Sequence, residues 1–299
     1  MSAQTRTVAD RVHSRRDLAL LAGAGFATLR WGGSAGVKLG VHASSFRNVP
    51  AGPGTDAIDR LIRALTTCEA RECELGPSLV EPAGYRAHDA GHHEAMSAMT
   101  PQMMRRELRK WRLRTPLRYF ESIADRFGKA GIRIYAYNYS PDATFSDEEI
   151  DRGFAMARAL GADILTVSTS DVMAGRIAPL ASRHDMVVAL GGRPGTKVSP
   201  PFKTHVDIAQ LLTANVDPVA YVRDHHDEIA SLYLTDCRKD SADAVTWGQG
   251  DAPIREVLQL LKREGWPIHA YVKYQNASGA TDVVEEVKRC VAYAKQTLA

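Results

Sequence analysis

The feature that most constrains the fold of this sequence is a regular alternation of short apolar segments with amphipathic helical segments after residue 36. Such alternation is typical of a parallel sheet whose strands are joined by crossover helices. Eight such units in about 260 residues predict a closed (β/α)8 TIM barrel, a fold that typically needs about 250 residues. The candidate strands are Lys38–Ala43, Glu72–Leu75, Arg133–Tyr137, Asp163–Val167, Met186–Leu190, Thr204–Ile208, Ser231–Leu234 and Ile268–Tyr274.

The helical segments between these strands show apolar residues on one face only. The clearest are Thr55–Thr67, Leu117–Gly131 and Pro253–Glu264, where apolar residues recur three or four positions apart. A capping box formed by Ser146 and Glu149 predicts the start of another helix. An open doubly wound sheet is the alternative, but no Gly-x-Gly-x-x-Gly run follows the first strand.

The first 35 residues have the pattern of a twin-arginine export signal. Ser14 is followed by Arg15 and Arg16, and an apolar stretch over Leu18–Leu29 is too short to span a bilayer. We therefore predict a signal peptide over residues 1–35, a single barrel domain over 36–299, and a periplasmic or otherwise extracytoplasmic location. A capped helix starting at Ser14 is the alternative. No later stretch reaches about 18 apolar residues, so no membrane span is expected in the mature protein.

The charge balance argues against nucleic acid as a partner. The formal net charge is +3, and residues 1–35 alone hold five arginines and two aspartates. The remainder therefore carries 33 basic and 33 acidic residues, which does not suggest a broad phosphate-binding surface. The basic cluster from Arg105 to Arg112 is a local exception, and we interpret it as the solvated face of a helix.

Four cysteines occur, and none has the spacing of a metal or redox motif. Cys73 falls within a predicted buried strand, where an inert thiol is expected. Disulfides among Cys68, Cys73, Cys237 and Cys290 are compatible with an oxidising compartment, but a domain of this size does not require them.

Candidate functional residues lie where the predicted strands end, because function in this type of barrel sits at the carboxyl ends of the strands. Three of them, Glu74, Asp207 and Lys273, are the candidate catalytic residues. The candidate substrate-binding residues are His42, Arg47, Asn138, Arg193, Gln210, Tyr233 and Trp247.

Several short runs resemble the xylose isomerase-like barrel superfamily. They include Cys73-Glu74-Leu75, Ala136-Tyr137-Asn138-Tyr139-Ser140, His205-Val206-Asp207-Ile208 and Trp247-Gly248-Gln249-Gly250-Asp251. Over residues 37–299 the sequence looks most similar to twin-arginine-exported proteins known as sugar phosphate isomerases or epimerases. The resemblance implies a barrel that acts on a small carbohydrate.

The resemblance also implies a divalent metal, typically Mn²⁺ or Mg²⁺, held by ligands from strands five to eight. Among those positions this chain retains Asp207. Gln210 and Tyr233 stand where histidines are usual, and Lys273 stands where a glutamate is usual. One carboxylate beside an ammonium binds a divalent cation poorly. We therefore predict that the metal site is degenerate, that no cofactor is used, and that Lys273 pairs with Asp207 or Glu74.

The predicted function is thus a divergent or metal-independent sugar isomerase or epimerase. In that hypothesis Lys273 forms a Schiff base with a carbonyl substrate, or acts only as an ion-pair partner. Glu74 or Asp207 is the general base, Arg193 holds an anionic group, and Tyr233 or Trp247 contacts the sugar.

Two alternatives stay open at this stage. One is a catalytically inactive barrel that binds a carbohydrate or a partner protein. The other is a metal-dependent enzyme that uses different ligands, for which the candidates are His88, Asp89, His92, His93 and Glu94.

Overall fold

The computed structural model describes residues 36–47, 49, 56–82, 99–191, 198, 200–240, 244–275 and 282–299. Within them, parallel strands pair in chain order and the first strand pairs with the last, so the sheet closes into a barrel. The prediction of a closed (β/α)8 barrel is confirmed. The strands are β1 (Lys38–His42), β2 (Glu72–Leu75), β3 (Arg133–Asn138), β4 (Ile164–Ser168), β5 (Val187–Gly191), β6 (Phe202–Asp207), β7 (Ile229–Leu234) and β8 (His269–Val272).

Helices connect the strands around the outside of the barrel. They begin and end where the caps predict: Ser146 and Glu149 form the expected capping box, and Gly265 ends a helix in the left-handed conformation at φ 68°. The helices are α1 (Ala57–Thr67), α2 (Pro77–Val80), α3 (Pro101–Arg114), α4 (Leu117–Lys129), α5 (Asp147–Ala159), α6 (Asp171–His184), α7 (Ile208–Thr213), α8 (Pro218–His225), α9 (Ile254–Glu264) and α10 (Val283–Leu298).

Two strand ends differ from the sequence-based expectation in a way that matters for the site. Strand β3 runs one residue further than predicted, so Asn138 belongs to the sheet. Strand β8 ends at Val272, which makes Lys273 the first residue after it. Both residues therefore lie at the carboxyl-terminal mouth of the barrel.

The inside of the barrel combines small and large side chains. Ala136, Ala189 and Ala230 leave space that Tyr233 and Tyr271 fill. The backbone of β1 approaches closely at Gly40, where a Cβ atom would lie 2.7 Å from Cε1 of Tyr271. A larger apolar cluster packs between the strands and the surrounding helices.

All four cysteines are buried free thiols. Burial raises the pKa of the Cys73 thiol well above its ordinary value. Because the thiolate is the reactive form, this burial makes Cys73 inert, as expected for a thiol in a core strand.

The predicted export signal over residues 1–35 lies outside the described residues and stays a prediction. Among the helices that the structure does describe, none is both long and apolar enough to cross a bilayer.

The interpretation of the Arg105–Arg112 cluster as a solvated face was wrong for part of it. Arg112 is buried and makes two hydrogen bonds to Glu81, at 2.6 and 2.9 Å. Arg105 makes two hydrogen bonds to the buried Glu149, at 2.8 and 2.9 Å. These guanidinium–carboxylate pairs dock α3 onto α5 and onto the segment after β2, which the local sequence pattern could not reveal.

Candidate functional site

The carboxyl ends of the strands bring together seven polar side chains, which we call the mouth cluster. They come from five strands and from the residue after β8, because all strands of a parallel barrel end at the same rim. Hydrogen bonds, ion pairs and ring contacts connect all seven. The mouth cluster consists of His42, Glu74, Thr166, His205, Asp207, Tyr233 and Lys273.

Lys273 is fixed by the backbone around it. Its N–H donates to the carbonyl oxygen of Leu234 at 3.0 Å, which extends the β7–β8 ladder by one residue. The next N–H, of Tyr274, donates to Oγ of Ser45 at 3.0 Å, so the segment after β1 also holds this end of β8. The Lys273 side chain is consequently directed at the mouth cluster.

Asp207 has both carboxylate oxygens engaged. Oδ2 lies 3.0 Å from Nζ of Lys273, and Oδ1 accepts a hydrogen bond from the N–H of Ala209 at 3.1 Å as the cap of α7. The expected pairing of Lys273 with a carboxylate is therefore present, and its partner is Asp207.

Glu74 is fully buried, and one of its oxygens receives two donors. The hydroxyl of Thr166 donates to Oε1 at 2.5 Å, and that of Tyr233 donates to the same oxygen at 2.7 Å. Oε2 is buried and has no hydrogen-bond partner among the described residues. Burial raises the pKa of Glu74, although Thr166, Tyr233, the nearby amide of Asn138 and the charge of Lys273 act in the opposite direction.

Tyr233 is the common neighbour of the charged groups. Its hydroxyl reaches Glu74, and the ammonium of Lys273 lies 4.5 Å from its ring centroid, within cation–π range. The rings of His205 and His42 meet it edge-on, with centroids 3.7 and 4.8 Å away. Burial and the nearby carboxylate of Glu74 hold the pKa of Tyr233 well above its usual range, so the phenol stays protonated.

The two histidines of the mouth cluster are neutral. Burial and the positive charges of Lys273 and Arg47 lower the pKa of His42 to about 3. Burial, His42 and Lys273 lower the pKa of His205 well below its ordinary value. The Ser44 N–H donates to Nδ1 of His42 at 3.1 Å, which leaves the hydrogen on Nε2 in the neutral ring.

The other predicted site residues have different surroundings. Asn138 donates to Oγ1 of Thr166 at 3.2 Å and so contacts the mouth cluster. Arg47 is exposed and its Nε donates to the carbonyl oxygen of Ser44, while Gln210 is exposed on α7. Trp247 packs its ring against Tyr293 of α10 with centroids 6.0 Å apart.

The remaining candidates lie outside the described residues. These are Arg193, for which an anion-holding role was predicted, and the alternative metal ligands His88, Asp89, His92, His93 and Glu94.

Asp236, two residues beyond β7, holds a loop and is not part of the mouth cluster. Its carboxylate accepts hydrogen bonds from the N–H groups of Gly248 at 2.8 Å, Gly250 at 3.2 Å and Ala252 at 3.3 Å. A Cβ atom on Gly250 would lie 2.2 Å from Oδ1 of Asp236, so this close approach requires glycine.

Sequence reasoning missed Thr166 and His205 as members of the site, and missed Ser231, whose Oγ lies 2.7 Å from Nδ1 of His205. Strand alternation could have found them. Ile164 lines the barrel interior, so Thr166, two residues later on β4, faces the same side. The same spacing relates Ser231 to Tyr233 on β7 and His205 to Asp207 on β6.

The donor set at the mouth does not fit the hard divalent ion that the resemblance implies. Such an ion needs several anionic or neutral oxygen ligands. Here both oxygens of Asp207 are engaged, and an ammonium 3.0 Å from it would repel a cation. In the part of the chain that the structure describes, no group of three or more His, Cys, Asp or Glu side chains is arranged to hold a metal.

No protein-family model matches this sequence, and no curated protein matches it either. Solved structures match in fold. An L-ribulose 3-epimerase is 11% identical with a TM-score of 0.58, covering 88% of this chain and 94% of its own. A xylose isomerase domain protein from Alicyclobacillus acidocaldarius is 12% identical with a TM-score of 0.54, covering 88% and 97%.

A third solved structure of this fold carries a different chemistry. A probable 3-DHS dehydratase from Bacillus anthracis is 12% identical with a TM-score of 0.58, covering 86% of this chain and 98% of its own. Likeness at this level of identity describes the fold and not the reaction. The chain has the fold of the xylose isomerase-like (β/α)8 barrels, whose solved members include sugar epimerases.

Proposed function

We propose that this barrel is a metal-independent isomerase or epimerase of a small carbohydrate, in which Glu74 moves the proton and Lys273 supplies the positive charge. One observation carries the proposal. Tyr233 contacts both groups, with its hydroxyl 2.7 Å from Oε1 of Glu74 and its ring 4.5 Å from the ammonium of Lys273. The site therefore combines a proton-carrying carboxyl group with a fixed cation.

These two groups match what the reaction needs. A base removes the proton from the carbon next to a carbonyl group, and the electron pair forms an enediolate whose oxygen is negative. Positive charge stabilises that oxygen. In isomerisation the proton returns to the neighbouring carbon, while the hydroxyl proton on the other enediolate oxygen passes to the negative oxygen. In epimerisation the first carbon is reprotonated on its opposite face by solvent or a second acid. In metal-dependent enzymes a divalent ion supplies this charge, whereas here the ammonium of Lys273 does.

The protonation chemistry of Glu74 suits the role of general base. Burial raises its pKa, and a carboxylate with a raised pKa is a stronger base at neutral pH than an exposed one. The hydroxyl donors and Lys273 oppose this shift, because they favour the carboxylate form.

A substrate would approach Glu74 past the two partly exposed members of the mouth cluster. The side chains of His42 and Lys273 retain 13% and 17% of their accessible surface, whereas Glu74 has none. Nε2 of His42 lies 3.8 Å from Oε1 of Glu74, beyond hydrogen-bond range. Displacing the His42 ring on entry would thus break no hydrogen bond to Glu74.

We assign Lys273 an electrostatic role in preference to Schiff-base formation. Nucleophilic attack needs a free amine, but Nζ of Lys273 is held by Asp207 at 3.0 Å and by the face of Tyr233, and attack would break both contacts. Borohydride treatment with keto sugars separates the two roles, because only a Schiff base leaves a covalent adduct on Lys273. We expect none.

The test of the proposed function is solvent proton exchange. Protein treated with a chelator is incubated in D₂O with a panel of aldoses, ketoses and their phosphates, and NMR follows deuterium incorporation next to the carbonyl group. We expect exchange by the wild type and a loss of about 100-fold or more in Glu74→Gln. Exchange that appears only after Mn²⁺ or Mg²⁺ is added would contradict metal independence. Sugar-dependent thermal stabilisation without any exchange would instead support an inactive binding barrel.

A further inference from the structure

We propose that Tyr233 is a positioning residue, whose hydroxyl holds Oε1 of Glu74 so that Oε2 is the oxygen that gives and takes the proton. This inference rests on the proposed function, since it names the reacting atom of the proposed base. It assigns to Tyr233 a task other than the sugar contact predicted from the sequence.

The two oxygens of Glu74 have opposite surroundings. Oε1 accepts one hydrogen bond from Thr166 at 2.5 Å and one from Tyr233 at 2.7 Å. Oε2 is buried and has no hydrogen-bond partner among the described residues. Buried polar atoms in folded proteins are generally paired, so an unpaired carboxylate oxygen at a barrel mouth points to a functional reason.

The direction of the hydrogen bonds fixes which oxygen is free to carry a proton. Asn138 donates from Nδ2 to Oγ1 of Thr166, and that hydroxyl hydrogen is directed at Glu74. The phenol of Tyr233 is protonated and donates as well. Because both donors converge on Oε1, a proton arriving at Glu74 binds Oε2.

Tyr233 is better placed than Thr166 to couple this carboxyl group to the rest of the site. Its ring contacts the ammonium of Lys273 on its face and the ring of His205 at its edge. One rigid side chain thus sets the position of the base relative to the cation.

Among the groups that face Glu74, Tyr233 is the hydrogen-bond donor whose removal is most easily measured. His42 from β1 is neutral, since its pKa is lowered to about 3, and Tyr271 from β8 is a protonated phenol. Lys273 supplies the one charge that acts on Glu74 among the causes of its shift, and it is unchanged by a substitution at Tyr233 that keeps the ring.

The experiment compares Tyr233→Phe with Tyr271→Phe. Each change removes one phenolic oxygen, and the two tyrosines are paired on the neighbouring strands β7 and β8. They differ in their acceptor, because the Tyr271 hydroxyl is directed at Glu72, at 3.5 Å, and not at Glu74. The Glu74 carboxyl group is titrated directly by NMR of protein labelled with ¹³C at the glutamate carboxyl carbon, assigned with Glu74→Gln. The pH profile of kcat/KM is measured on the same samples.

In Tyr233→Phe we expect the Glu74 titration and the ascending limb of the pH profile to move up together by about one pH unit, because a donor to the ionised form is lost. We expect kcat to fall more than KM changes, and Tyr271→Phe to leave both curves in place. Thr166→Val removes the other donor, and we expect it to shift the Glu74 titration in the same direction. This variant replaces Tyr233→Phe in the test if Tyr233→Phe does not fold.

If Glu74 titrates in both Tyr233→Phe and Thr166→Val as it does in the wild type, the inference is overturned, whether or not the variants are active. A titration that moves as expected, in a protein that exchanges no sugar proton, would support the hydrogen-bond assignment while refuting the proposed function. The two failures are therefore distinguishable.

Discussion

The ammonium of Lys273 and the carboxylate of Asp207 form an ion pair of 3.0 Å at the mouth of the barrel. The pair joins strands β6 and β8 across the opening, since it connects the last residue of β6 to the first residue after β8. The positive charge of Lys273 therefore lies next to Asp207, the one retained carboxylate among the positions where the resemblance implies metal ligands. The ion pair gives Asp207 a positively charged partner from the chain itself.

Reversing the charge of Lys273 should therefore create metal affinity. In Lys273→Glu two carboxylates face each other where an ion pair stood, and hard divalent ions bind clustered carboxylates. We expect Mn²⁺ to raise the melting temperature of this variant and to bind it in a titration followed by electron paramagnetic resonance. Lys203→Glu is the control, because it makes the same charge change at a side chain whose Nζ donates to the carbonyl oxygen of Asp227. Equal Mn²⁺ binding by the wild type would contradict the prediction that Lys273 keeps a divalent ion away from Asp207.

The raised pKa of Glu74 predicts a loss of stability with rising pH. A carboxyl group whose pKa is higher in the folded state binds its proton more tightly there, so its stabilising effect is complete below the unfolded value of 4.5. That effect is lost as pH rises from 4.5 through the folded-state pKa. Glu74→Gln keeps the shape of the side chain and cannot ionise.

We accordingly expect the stability of the wild type, relative to Glu74→Gln, to fall over this window and then to stay constant. Urea unfolding at a series of pH values from 4 to 9 measures the difference, about 1.4 kcal/mol per unit of pKa shift. Parallel curves for the two proteins would mean that Glu74 titrates in the folded state as it does in the unfolded chain.

The barrel, and a pairing of Lys273 with either Asp207 or Glu74, could be predicted from sequence because both follow from short-range patterns. The structure identifies Asp207 as the partner. Strand–helix alternation places Asp207 and Lys273 at one rim, and opposite charges at one rim pair. Thr166 and His205 could have been predicted by the same reasoning, because successive side chains on a strand point alternately into the barrel and away from it. They were missed because a threonine and a histidine inside a strand are more often structural than functional.

The Arg112–Glu81 pair could not be predicted in this way. The two residues are 31 positions apart, and neither lies on a barrel strand. Their contact depends on how α3 docks against the segment after β2, which no local periodicity encodes. A run rich in arginine is ordinarily a solvated face, so only the tertiary structure separates the buried arginine from its exposed neighbours.

Two helical glycines give a matched test of packing against α5. A Cβ atom on Gly153 would lie 2.3 Å from Cε1 of Tyr139, whose hydroxyl also donates to the carbonyl oxygen of Glu149 at 3.0 Å. On Gly128 in α4, a Cβ atom would meet nothing within 4 Å. We expect Gly153→Ala to destabilise the protein by about 1–3 kcal/mol through overpacking. Gly128→Ala should stabilise it by about 0.5–1 kcal/mol, since alanine favours the helix.

Equilibrium urea unfolding of the two glycine variants decides this prediction by the sign of each change. Stabilisation by both substitutions would mean that Tyr139 shifts at little cost. In that case the contact between Gly153 and Tyr139 does not fix the distance between α5 and the barrel.

The buried arginine of α3 should contribute far more to stability than its exposed neighbour. Arg112→Met removes both hydrogen bonds to Glu81 inside the protein, and breaking a buried pair in this way typically costs about 3–5 kcal/mol. Arg106 lies on the same helix with 76% of its side chain exposed, so Arg106→Met should change stability by less than about 0.5 kcal/mol. Arginine and methionine have similar helix propensities, so helix formation itself is matched in the two variants.

The urea midpoints of the two variants at neutral pH, each compared with the wild type, measure this difference in stability. Equal midpoints for the two variants would mean that α3 docks on the barrel through its apolar residues and not through this ion pair.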